Sequence, residues 1–176
     1  MIDPRLLAWA RHTARRKAGA RPLPPLWLFT DFHRMPDPRP AVARLPRGLA
    51  GVVFRHDEDP RRALLGRDLA RLCRTRRLML VVAGDVRLAA ALGAGVHLRG
   101  GHWPGPTRRR GMVTSSAHRL PDLRRAAAAG ARLAFLSPVF PTASHPGAPA
   151  LGPLRWMRMA RAAPLPVAAL GGVQPA

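Results

Sequence analysis

The sequence predicts an α/β protein of the TIM-type (β/α)8 barrel class, truncated after its seventh strand. Three observations predict it. Apolar runs of strand length alternate with segments of helical spacing from one end of the chain to the other. Several runs are continuously apolar rather than alternating, as in a parallel sheet buried on both faces. Each run turns over at Gly, Ser, Arg or Asp, and the glycine pattern of a dinucleotide-binding open sheet is absent.

The elements follow in order. Residues 5–18 predict a helix, with Leu6, Leu7, Trp9 and Ala10 on one side, Arg11, Arg15 and Arg16 on the other, and Gly19 as its stop. Leu26-Trp27-Leu28-Phe29 is a short strand ending at Thr30-Asp31. The proline-rich stretch from Arg34 to Arg47 is read as irregular. Gly51-Val52-Val53-Phe54 is the second strand and ends at Arg55. Asp59-Pro60 has the form of an N-cap followed by proline at the first helical position, and Leu65, Leu69, Leu72 and Cys73 mark the buried face of the helix beyond. Leu78 to Val82 is the third strand, Val86 to Leu92 a helix closed by Gly93, and Gly95 to Leu98 the fourth strand. Met112-Val113-Thr114 is the fifth. Pro121 to Ala129 is helical with Gly130 as its stop, Leu133 to Leu136 is the sixth strand, Pro153 to Arg161 a helix, and Pro166 to Leu170 the seventh strand. The chain is thus read as one βα-barrel domain over 1–176. Residues 1–22 form an N-terminal helical extension, and the eighth βα unit is missing.

Composition excludes several classes. A hydrophobic content of 47% argues against a disordered chain. No apolar run reaches the roughly 20 residues that span a bilayer, and Met1-Ile2-Asp3-Pro4-Arg5 lacks the apolar core of a signal peptide. Cys73 is the only cysteine, so no internal disulfide and no cysteine-based zinc site is expected. The expected location is the cytoplasm, with no membrane partner. The formal charge of +21 reflects arginine standing in for lysine: Lys17 is the only lysine, Glu58 the only glutamate, and Asn and Tyr are absent. An aromatic content of 5% supplies no base-stacking platform. No specific nucleic-acid partner is expected, only salt-sensitive adhesion to polyanions.

In a βα-barrel the chemistry sits at the carboxyl ends of the strands. Gly171-Gly172 follows the seventh strand, where backbone N–H groups commonly bind phosphate, although the pair also suits a simple tight turn. The loop Ser137-Pro138-Val139-Phe140-Pro141-Thr142-Ala143-Ser144-His145-Pro146 follows the sixth strand directly. It carries hydroxyls at Thr142 and Ser144, stiffened by prolines into a candidate anion clamp. A plain proline-rich connector would read the same way. His118 lies just past the fifth strand beside Ser116, as a candidate acid/base or as a helix-capping histidine. His97 is read as a packed structural residue, and His56 and His102 as incidental substitutions.

Those residues carry a resemblance. Leu26-Trp27-Leu28-Phe29-Thr30-Asp31, Val52-Val53-Phe54-Arg55, Leu92-Gly93-Ala94-Gly95-Val96-His97-Leu98 (one residue short), Ser116-Ala117-His118, Ser137 to Pro146, Leu151-Gly152 and Pro166 to Val173 resemble motifs of the thiamine phosphate synthase/TenI family, several of them in the same order and spacing. The resemblance implies a barrel of eight βα units and a transferase of thiamine biosynthesis. Such an enzyme joins a pyrimidine pyrophosphate to a thiazole phosphate: pyrophosphate leaves, and the thiazole nitrogen captures the cation. It implies His118 as the catalytic residue, and Arg55, Ser116, Thr142, Ser144, Gly152, Gly171 and Gly172 as substrate-binding residues. Oligomeric state is left open.

The resemblance also implies Mg2+ held by two aspartates, and here the sequence departs from the family. The first ligand position is Gly84, with Asp85 one residue later, and the second is His102. Val53 stands for the family's Gln, Asp57 for a Lys, and His145 for the Lys of the phosphate loop. Mg2+ prefers carboxylate and water oxygens, so no metal-ligating residue is assigned and impaired synthase activity is expected. A metal-independent thiazole tautomerase using His118, or a non-catalytic phosphate-ligand binder, are the alternatives.

Overall fold

The computed structural model describes residues 2–16, 23–104, 111–142 and 149–172. The chain divides into two compact units, Met1–Gly95 and Val96–Ala176.

The first unit opens with α1 (Pro4–Arg16), whose N-terminal N–H groups at Arg5 and Leu6 are held by the Asp3 carboxylate at 2.8 and 3.0 Å. Of the helix predicted over 5–18, positions 17 and 18 lie outside the described residues. Then come β1 (Leu26–Phe29), α2 (Arg39–Ala43), β2 (Ala50–Phe54), α3 (Arg62–Thr75), β3 (Met79–Ala83) and α4 (Val86–Ala91). β1, β2 and β3 pair in parallel, with Leu28 opposite Val52 and Val53 opposite Val81. Every residue of β2 is buried, as its unbroken apolar run requires. Helix α3 lays Leu65, Leu69, Ala70 and Cys73 into the core. Burial pushes the Cys73 thiol up to about 12. The thiol lines a cavity of about 80 Å3 with Ala70, Leu80 and Leu92.

Two local readings are corrected here. The stretch 34–47 contains α2, started by Pro40 in its first turn and anchored by the fully buried Val42. Asp59 does not cap α3, whose N-cap is Arg61. Its carboxylate instead accepts the Arg61 N–H at 2.8 Å and closes a turn ahead of the helix.

The second unit holds β4 (Gly95–Leu98, entered from the last residue of the first unit), β5 (Val113–Ala117), α5 (Leu120–Ala128), β6 (Leu133–Leu136), α6 (Gly152–Arg161) and β7 (Val167–Ala169). These strands also pair in parallel, in chain order. β5 runs three residues further than the sequence predicts, so Ser115 and Ser116 lie inside it and His118 follows it at once. The core is Ala117, Leu123, Ala134 and Leu136, with Trp156 and Met159 of α6 packed against it. Trp156 Nε1–H donates to the Leu136 carbonyl at 3.1 Å, which ties α6 to β6. His97 is buried and its Nδ1 lies 2.8 Å from Thr114 Oγ1, in keeping with a packed structural histidine. Among the described residues no helix is long and apolar enough to cross a membrane.

Seven parallel strands alternating with helices are the α/β class that the sequence predicts.

Candidate functional site

In the second unit, the loop after β6 folds back on the end of β7. The Val139 and Phe140 N–H groups donate to the carbonyls of Leu170 (3.0 Å) and Gly171 (3.2 Å). On the other side, the Leu151 and Gly152 N–H groups donate to the Pro138 and Val139 carbonyls, both at 3.0 Å. The loop is therefore clamped between the entry to α6 and the exit of β7. The glycine pair is required for this. Gly172 has φ +68, and a Cβ there would lie 2.6 Å from the Pro141 carbonyl oxygen. A Cβ on Gly171 would lie 3.0 Å from Pro138 and 3.8 Å from the Thr142 methyl. Thr142, Gly152, Gly171 and Gly172 are thus brought together. Ser144, His145 and Pro146 lie outside the described residues.

His118 is joined to the same loop. Its ring Nδ1 lies 2.8 Å from the Ser137 carbonyl oxygen. A carbonyl only accepts, so Nδ1 carries the proton, and in the neutral ring the lone pair is on Nε2. Its backbone N–H donates to Asp122 Oδ2 at 3.0 Å, and the same oxygen takes the Arg119 N–H at 3.1 Å. Asp122 also pairs with Arg125. Burial raises the Asp122 carboxyl, but the two backbone N–H groups and the arginines outweigh it and hold the group below the ordinary carboxylate range. Asp122 thus fixes the backbone at His118, a supporting role that sequence reasoning missed. Its position at N3 of α5, from which an acidic side chain reaches back to the N-cap N–H of Arg119, was the available signal.

Ser116 is half-buried at the end of β5, where its Oγ accepts the Gly100 N–H at 3.2 Å. Ser115 Oγ accepts the Gly101 N–H at 2.9 Å. The two serines hold the glycine turn after β4. His102 sits exposed on that turn, bridged to Arg99.

In the first unit, Arg55 follows β2. Its guanidinium lies 4.0 Å from Asp31 and its backbone N–H donates to Thr30 Oγ1 at 3.0 Å. Burial raises the Asp31 carboxyl, but the Arg34 N–H and the Arg55 charge outweigh it and leave it lowered. His56 is fully buried. Its Nε2 lies 3.0 Å from the Met35 carbonyl and its Nδ1 3.0 Å from Thr30 Oγ1. The carbonyl fixes Nε2 as the donor, so Nδ1 accepts from the threonine hydroxyl, which in turn accepts from Arg55 N–H. This chain of three bonds places Arg55 at the strand end.

The metal site implied by the resemblance can be tested against these residues. Gly84 has no side chain and φ +67. Asp85 Oδ1 caps α4 by accepting the Leu88 N–H at 2.8 Å, and Oδ2 faces Arg62 at 3.4 Å. Among the described residues no group of three or more His, Cys, Asp or Glu could hold a metal ion. The residues do not fit a two-aspartate Mg2+ site. Arg62, which sequence reasoning did not single out, is central to that mismatch. It meets Asp57, Ala83 and Asp85, which adjoin only in the folded unit.

Comparisons with known proteins agree with one another. The family model described as thiamine monophosphate synthase matches residues 32–176. A thiamine-phosphate synthase of Azoarcus sp. (strain BH72) is 34% identical over 158 residues, covering 83% of this chain and 71% of that protein. One from Geobacillus thermodenitrificans (strain NG80-2) is 36% identical over 154 residues, covering 77% and 68%. Among solved structures, a thiamine phosphate pyrophosphorylase from Pyrococcus furiosus matches with a TM-score of 0.69 at 24% identity, over 85% of this chain and 75% of that one.

Proposed function

The chain belongs to the thiamine monophosphate synthase family, and from that premise we propose that it is a transferase of thiamine biosynthesis that joins a pyrimidine pyrophosphate to a thiazole phosphate, with activity impaired where the metal ligands are replaced. One observation carries the reading. The clamped loop gathers Thr142, Gly152, Gly171 and Gly172 beside a histidine whose tautomer is set. In this proposal those four residues, with Ser144, hold the thiazole phosphate. Gly171 and Gly172 let the backbone come close to the oxyanion. Ser116 and His118 orient the thiazole, and Arg55 is the substrate-binding residue of the first unit. The carbon–oxygen bond to pyrophosphate breaks with both electrons leaving on the pyrophosphate, and the thiazole nitrogen lone pair forms the new bond. Where the metal ligands are replaced, arginine would stabilise the negative charge that builds on the departing pyrophosphate. The test is product formation from the two substrates, with and without Mg2+. Slow turnover that Mg2+ does not raise supports the reading, and no product under either condition sinks it.

A second reading has its own observation. With Nδ1–H committed to Ser137, Nε2 of neutral His118 can accept and return a proton. This suits a metal-independent tautomerase acting on a thiazole carboxylate phosphate. His118→Ala is then expected to abolish isomerisation while leaving ligand binding largely intact. A wild type that never isomerises the compound ends this reading.

A further inference from the structure

We infer that Arg125 is a positioning residue for the thiazole side of the proposed site: one guanidinium fixes both the backbone at His118 and the hydroxyl of Ser116. The inference rests on the reading that those two residues orient the thiazole. Arg125 lies in the last turn of α5. Its Nη2 donates to Asp122 Oδ1, and its Nε donates to the Gly100 carbonyl at 2.7 Å. The two partners lead in different directions. Asp122 accepts the His118 and Arg119 N–H groups on its other oxygen. Gly100 donates its own N–H to Ser116 Oγ.

The glycine turn after β4 is built to receive this contact. Gly101 has φ +81, and a Cβ there would lie 2.7 Å from the Ala126 backbone nitrogen and 2.8 Å from the Arg125 carbonyl carbon. The turn therefore lies directly against the backbone of α5, where the Arg125 side chain reaches it. Both polar groups of Gly100 are held, the N–H by Ser116 and the carbonyl by Arg125. The two serines differ in what remains to them. Ser115 Oγ accepts the Gly101 N–H and donates its hydrogen to the Ser116 carbonyl at 2.9 Å. Ser116 Oγ accepts from Gly100 and can still donate its hydrogen to a ligand. Holding Gly100 thus sets the direction of that hydroxyl, and holding Asp122 sets the start of α5 beneath His118. A planar guanidinium with donors at fixed angles can do both at once, which a lysine ammonium cannot.

The test combines amide hydrogen exchange by NMR with calorimetric titration of thiazole phosphate, on the full chain. Wild type, Arg125→Met and Arg125→Lys are compared. In Arg125→Met the Gly100, Gly101, His118 and Arg119 amides are expected to exchange at least about tenfold faster, with the Val139 amide of the clamped loop unchanged. Thiazole phosphate is expected to bind roughly tenfold more weakly. Arg125→Lys keeps a cation beside Asp122, so it is expected to restore protection at His118 and Arg119 and not at Gly100 and Gly101. Faster exchange at Val139 to the same degree would overturn the proposal, because Arg125 would then serve stability alone. Local loosening with unchanged affinity would overturn it equally. If Arg125→Met does not fold, Arg125→Lys decides by the glycine amides and the affinity. A wild type that does not bind thiazole phosphate ends the proposed function, and the exchange pattern then decides whether Arg125 couples the two residues.

Discussion

Asp122 satisfies two backbone N–H groups and pairs with an arginine while almost fully buried. Its carboxyl is lowered in the folded chain, so it contributes stability above its unfolded value near pH 4, and that stability is lost as the pH falls through the lower folded value. Asp122→Asn is therefore expected to cost about 1–3 kcal/mol at pH 7. The difference from wild type should shrink as the pH falls below about 4, as read by urea unfolding at pH 7 and pH 3. On the ligand side, Thr142→Ala is expected to weaken thiazole phosphate binding by roughly tenfold to a hundredfold, the worth of one hydrogen bond to a charged group. Calorimetric titration checks it, and unchanged affinity would remove Thr142 from the proposed clamp. The positions of His118 just after β5 and of Thr142 in the loop after β6 were legible because both sit in strand-end motifs. Arg62 and His56 were not. Asp57 apart, their partners lie 21–26 residues away in sequence, and no local pattern marks a guanidinium that meets Ala83 and Asp85 or an imidazole that meets Thr30 and Met35.

Among the elements, two glycines separate conformation from packing. Gly130, after α5, has φ +81 and nothing within 4 Å of an added Cβ, whereas Gly172, after β7, has φ +68 and meets Pro141 and Phe140 below 3 Å. Gly130→Ala is expected to cost about 1–2 kcal/mol, the left-handed penalty alone. Gly172→Ala should cost at least about 1 kcal/mol more, because the clamped loop must move. Denaturant midpoints compare the two, and equal losses would show that the loop yields freely. The strands at Leu26–Phe29, Gly95–Leu98 and Leu133–Leu136 were readable to the residue because Gly, Pro or Ser punctuates at least one end of each apolar run. β5 was read short because Ser115 and Ser116 look like loop residues. They continue the strand because Ser115 lies opposite Ala134 and Ser116 opposite Phe135 in the parallel ladder. The α3 start was misplaced because an Asx turn and a helix cap share one sequence signature.

For the molecule as a whole, the alternation of apolar runs and helical spacing was enough to name the fold class, since it depends on no single residue. A charge of +21 has a global consequence too. Retention on heparin is expected at 50 mM salt and to fall by about tenfold or more by 200 mM. A sequence-selective interaction that survived physiological salt would contradict this reading. Cys73 gives the chain a different property. As the sole cysteine, on the buried face of α3 with its thiol raised to about 12, it is a built-in clock for opening of the first unit. While the unit is closed, burial keeps the thiol protonated at pH 8. Labelling by a thiol reagent must therefore wait for α3 to lift, and its rate reports how often that happens. An Arg62 variant that loosens the start of α3 should make this clock run faster, with no engineered probe needed to see it.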